Sequence, residues 1–82
     1  MSTRKEEVLA RLIALSGKRF GRNPAELSGS DDFYEALGID SMEALSLLTT
    51  LESELSIEVP DYEVQDCRTF SELAEVIARR LS

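Results

Sequence analysis

Eighty-two residues with 43% apolar content are enough for one small folded domain and carry too much apolar side chain for a disordered segment. With no histidine and a single cysteine, Cys67, the chain cannot build an internal disulfide, a Cys/His zinc site or a Ser-His-Asp catalytic arrangement. A net charge of −7 sets it against nucleic acid and anionic lipid. There is neither a secretory signal nor a run of roughly 20 apolar residues, so a soluble, cytoplasmic, monomeric protein without membrane insertion is expected.

The first helix is expected from about Thr3 to Phe20. Val8, Leu9, Leu12 and Ile13 share one face, with Leu15 on its edge. Thr3 followed by Glu6 fits a capping box. Gly17 and Gly21 mark where the helix should weaken and stop. The connection from Gly21 to Asp40 is long for a small domain and should contain structure of its own. Within it, Asn23-Pro24 reads as a cap followed by proline at the first helical position, so one short turn is expected there. Leu27, Phe33 and Leu37 are expected to dip into the core and pin this loop.

The second main helix is expected from Ser41 to about Leu55. Ala44, Leu48, Leu51 and Leu55 form an i, i+4, i+7, i+11 stripe, widened by Leu45 and Leu47. Asp40 is its N-cap, with Glu43 three positions later. Beyond it, Ile57 and Val59 point the same way if the chain is extended, and Pro60 ends that stretch. Asp61 is expected to cap a short helix from Tyr62 to about Asp66. The last helix runs from about Phe70 to Leu81, burying Phe70, Leu73, Ala74, Ile77 and Leu81, with Thr69 and Glu72 as a further capping box. No segment alternates as a strand would. The expectation is an all-α fold in which residues 1–82 form one domain: three main helices, a short one before the last, and a long first loop.

Charge is unevenly spread. Arg4, Lys5, Arg11, Lys18, Arg19 and Arg22 precede Asn23, and Arg68, Arg79 and Arg80 follow Cys67. Between them lie twelve acids and no base, a field that attracts basic protein surfaces. Ser41 stands in the middle of it. If Asp40 caps the helix, Ser41 is the first helical residue, beside unpaired backbone N–H groups and at the end that carries partial positive charge. Gly38 lets the chain turn just before it, and Ile39 is expected to pack inward. An accessible hydroxyl there suits covalent attachment of a phosphate-linked group. It does not suit autonomous catalysis, since nothing in the sequence offers a histidine base.

The stretch DDFYEALGIDSMEALSLLTTLESELSIEVPD resembles the central part of acyl carrier proteins. The residues that carry the resemblance are Asp32, Leu37, Gly38, Ile39, Asp40, Ser41 and Met42 at the turn, Leu51, Glu52 and Glu54 on the helix, and Ile57, Val59, Pro60 and Asp61 at its exit. The resemblance implies a four-helix bundle of acyl-carrier type. It implies that Ser41 is the attachment residue for 4′-phosphopantetheine, moved there from coenzyme A by a phosphopantetheinyl transferase. A thioester on the prosthetic thiol would then hold an acyl or aminoacyl group. The implied partners are that transferase, an acyl- or aminoacyl-loading ligase or synthetase, and downstream transferases or synthases with basic docking surfaces. Asp40, Met42 and Glu43 would be their first contacts, with Glu35, Glu52 and Glu54 as outlying acids. The chain would be a carrier and not an enzyme. Its start at Met1 and its end shortly after the last helix point to a discrete carrier. Ser46, where fatty-acid carriers have an acid, together with Ser53 and Met42, tilts the expected cargo towards a specialised or aminoacyl role. An acidic helical adaptor that keeps this fold and is never modified is the alternative.

Overall fold

A computed structural model describes residues 3–81. Among them the backbone forms α1 (Arg4–Phe20), a 3-10 turn (Pro24–Glu26), α2 (Phe33–Leu37), α3 (Ser41–Leu55), α4 (Asp61–Val64) and α5 (Phe70–Leu81). The fold is all-α. The long helices α1, α3 and α5 with the short α4 make the expected four-helix bundle, and α1 packs chiefly along α5.

The helix boundaries follow from local chemistry. The Thr3 hydroxyl accepts the Glu6 N–H while the Glu6 carboxylate accepts the Thr3 N–H, so two donors at the start of α1 are satisfied reciprocally. Thr69 and Glu72 repeat the device at α5. Gly21 closes α1 in the left-handed region. Gly17 does not weaken α1 as its residue type implies: the helix runs through it, and it is buried. A side chain there would put its Cβ 2.6 Å from the Arg22 carbonyl oxygen and 2.8 Å from Pro24 Cγ. The missing side chain lets the returning chain lie directly on the helix, which is where Asn23 caps the 3-10 turn.

The core is continuous across the helices. Leu12 from α1, Leu47 and Leu51 from α3, and Phe70 and Ile77 from α5 are almost wholly excluded from solvent. Each such side chain contributes about 1.5–3 kcal/mol of burial. Phe33 and Leu37 are buried as expected, and Leu27 is half-buried. The long first connection contains α2, a helix whose five residues are too few to show a period. Its signals are at its ends: Asp32 caps it and Gly38 closes it. The connection is tied to the start of α5 by Phe33 N–H to the Arg68 carbonyl at 2.9 Å and Ser71 N–H to the Gly29 carbonyl at 2.8 Å.

Two sequence expectations are corrected. Asp61 does not cap α4; it is the first helical residue, Pro60 holds the cap position, and no side chain caps the helix. The fixed φ of proline ends the extended segment one residue earlier than the Asp61 reading requires. Leu45 does not belong to the buried stripe. It is 41% exposed, whereas Leu47 is 1% exposed, because the face of α3 that enters the core is the one carrying Leu47, Leu48 and Leu51.

Candidate functional site

The site is built where α2 hands the chain to α3. Gly38 sits at φ 64° and ψ 40°, a conformation costly for any residue with a Cβ. Its N–H and that of Ile39 both reach the Tyr34 carbonyl, which stops α2 within one turn. Ile39 is buried and anchors the corner. Asp40 is extended, and its Oδ1 accepts the Glu43 N–H at 2.9 Å. Helix α3 therefore starts at Ser41, which is exposed. The N–H groups of Ser41 and Met42 have no carbonyl one turn earlier to meet, as at any helix start, so this end carries partial positive charge.

Beside Ser41 lies a cavity of about 180 Å³ between α2, α3, α4 and α5. Buried Phe33, Leu47, Leu48 and Leu73 line it, while Ser41, Leu45, Asp61 and Gln65 are its more exposed residues. Its lining is predominantly apolar. For scale, an apolar cavity of about 150 Å³ is large enough to admit benzene.

The residues expected to meet partners are only partly together. Asp40, Met42 and Glu43 share the first turn of α3 with Ser41, and Met42 is 79% exposed. Glu35 is exposed on α2, just across the Gly38 corner. Glu54 is thirteen positions along α3, about 20 Å away at 1.5 Å per residue. Glu52 is half-buried, and its carboxylate accepts the Val59 N–H at 2.9 Å, so it braces the α3–α4 connection. Tyr62, an exposed aromatic on α4, has no role in the sequence-based expectation, and Leu45, expected in the buried stripe, is exposed one turn beyond Ser41. Their exposure depends on how α3 and α4 face each other, which no local pattern encodes. Cys67 is buried; burial first, then the nearby Glu72 and Asp66, push its thiol up from its ordinary range. It stays protonated and packs as a small apolar side chain.

The family model of the phosphopantetheine attachment site matches residues 10–77. The chain belongs to the acyl carrier protein family. It is 29% identical over 73 residues to the acyl carrier protein of Myxococcus xanthus, covering 89% of this chain and 92% of that one. Against the mitochondrial acyl carrier protein of Saccharomyces cerevisiae it is 32% identical over 79 residues, covering 90% of this chain and 62% of the yeast protein. It also matches the lovastatin diketide synthase mokB of Monascus pilosus, at 28% identity over 80 residues, there covering 93% of this chain and 3% of the synthase. An acyl carrier protein carries acyl groups on phosphopantetheine and catalyses nothing itself. The chemistry of this carrier's residues agrees: an exposed hydroxyl, a helix start that favours a phosphate, and an apolar cavity adjoining both.

Proposed function

We propose that Ser41 is the residue that receives 4′-phosphopantetheine, and that the chain carries an acyl group whose apolar end shelters between α2, α3, α4 and α5. The observation that carries this reading is the exposed Ser41 side chain at the start of α3, lining an apolar cavity. In the attachment step the Ser41 oxygen forms a bond to the phosphorus next to the pantetheine arm of coenzyme A. The bond from that phosphorus to the adenosine bisphosphate breaks, and the hydroxyl proton passes to a base of the transferase. Asp40 contributes by fixing the helix start, and the first-turn N–H groups favour the phosphate that results. When bound, the group supplies a thiol that holds cargo as a thioester.

The cavity supports acyl over aminoacyl cargo. A short hydrocarbon chain gains by entering an apolar space. An α-ammonium group would lose its hydration in the buried part of the cavity, whose carboxylate, Asp61, lies on the exposed side, so an aminoacyl group would be held at the mouth. The partner enzymes of this reading are a phosphopantetheinyl transferase, an acyl-loading ligase or synthase, and downstream transferases, meeting Asp40, Met42, Glu43 and Glu35 around the serine. Incubation with coenzyme A and a broad-specificity phosphopantetheinyl transferase, read by intact mass, tests the proposal. One added phosphopantetheinyl group that is lost in Ser41→Ala supports it. No addition to the folded wild-type chain supports the unmodified adaptor instead.

A further inference from the structure

Helix α3 presents less negative charge than its composition indicates. Glu52 is turned into the loop that follows. Glu43, Ser46, Thr50 and Glu54 follow one another at i, i+3, i+7 and i+11, a single stripe along the helix. Arg19, in the last turn of α1, reaches across to that stripe. Its Nη1 donates to Thr50 Oγ1 at 2.8 Å, and its Nη2 donates to Ser46 Oγ. The Thr50 hydroxyl spends its own proton on the Ser46 carbonyl at 3.0 Å, which leaves its lone pairs for Arg19. A guanidinium keeps its charge at any working pH, so a permanent cation is held between two acids on an exposed part of α3. Among the described residues the ion pairs are Lys5–Glu75, Arg68–Asp32 and Arg80–Glu63, and Arg19 is in none of them. Arg11, Lys18 and Glu54 line the same groove between α1 and α3, so the cation is not isolated.

We propose that Arg19 is a specificity-determining residue: held by Ser46 and Thr50 at the middle of α3, it disfavours partner enzymes whose docking face is basic throughout and suits those that bring an acidic or hydroxyl side chain opposite it. This rests on the reading above, in which partners meet the chain around Ser41 at the start of α3, five residues before Ser46. The charge acts within about 8–10 Å at moderate salt, and Ser46 lies about 7.5 Å of helix rise from Ser41, so a partner seated at the serine feels it.

The test uses the full chain, coenzyme A and a phosphopantetheinyl transferase with a basic docking face. Steady-state kinetics are measured for wild type, Arg19→Gln and Arg19→Lys, at low salt and near 1 M, where the screening length is about 3 Å. Arg19→Gln should lower KM by about two- to fivefold at low salt with kcat unchanged, the scale of one exposed charge pair. The difference should vanish at high salt, and Arg19→Lys should keep the wild-type KM. An Arg19→Gln KM equal to wild type, or a change that persists at high salt, would overturn the assignment. So would a lowered melting temperature with unaltered KM, which describes a brace between α1 and α3 and nothing more. Failure of the wild-type chain to take up any phosphopantetheine is a different result: it removes the Ser41 reading, and the role of Arg19 falls with it.

Discussion

One carboxylate sets the place of Ser41 in its helix. Asp40 accepts the Glu43 N–H and so fixes α3 to begin at residue 41, which places Ser41 in its first turn with an exposed side chain. Asp40→Ala should cost about 0.5–2 kcal/mol in a urea titration and slow modification at the serine. Unchanged stability together with unchanged kinetics would contradict this role. At the other end of α3, Ser56 occupies the left-handed region at φ 56° and ψ 45°, the only described residue other than glycine with positive φ. That conformation costs a residue with a Cβ roughly 1–2 kcal/mol, and a glycine adds about 0.5–1 kcal/mol of freedom to the unfolded chain. Ser56→Gly should therefore raise the urea midpoint by the equivalent of about 0.5–1 kcal/mol with an unchanged slope; a lower midpoint would contradict the strain. Asp40 is legible in the sequence because a cap is a local preference with a known partner three residues on. Ser56 is not, because serine carries no mark of a left-handed terminus.

At the scale of elements, length decides what can be read in advance. Helices α1, α3 and α5 have 17, 15 and 12 residues and show their apolar stripes in full. Helix α2 has five and shows none, although Asp32 and Gly38 bracket it with a cap and a terminator. Gly17 reads as a weak point only while its neighbour in space, Pro24, is unknown. Helix α4 has four residues and no side-chain cap, so it depends on contacts made elsewhere. Its Glu63 receives the Arg80 guanidinium of α5, and Val64 is half-buried. The ion pair is partly exposed and contributes little to the whole fold. Its local effect should be larger than its global one. Arg80→Ala is expected to speed amide hydrogen exchange across residues 61–66 while leaving the urea midpoint nearly unmoved. Equal exchange in variant and wild type would show that α4 is held by its apolar contacts alone.

At the scale of the molecule, the long first loop and the start of α5 are joined by carboxylates, and this makes the fold acid-sensitive. Burial works against the charge of Asp32, but the N–H groups of Glu35 and Tyr34 and the Arg68 guanidinium outweigh it and hold the carboxyl below its ordinary range. The N–H groups of Arg68 and Thr69 do the same for Glu72. Both groups bind protons more weakly folded than unfolded. Their contribution is therefore complete above the ordinary carboxylate pKa of about 4 and is lost as pH falls from there through their lowered folded-state values. Melting temperature should decline below about pH 4.5, and less steeply in Glu72→Gln; parallel curves would contradict the linkage. The candidate site is legible only in part at this scale. Asp40, Ser41 and Glu43 are adjacent in the chain and can be read there. The apolar cavity needs four helices brought together, and the Arg19 bridge joins residues 27 and 31 positions apart, so neither has a local signature. The account rests on the Ser41 oxygen being the acceptor among several exposed serines, Ser46 and Ser53 on the same helix included. Fragmentation mass spectrometry of the chain after reaction with coenzyme A and transferase measures this directly. A single phosphopantetheinyl group located on Ser41 is expected; the group found on Ser46, Ser53 or any other residue, or on none, would contradict the assignment.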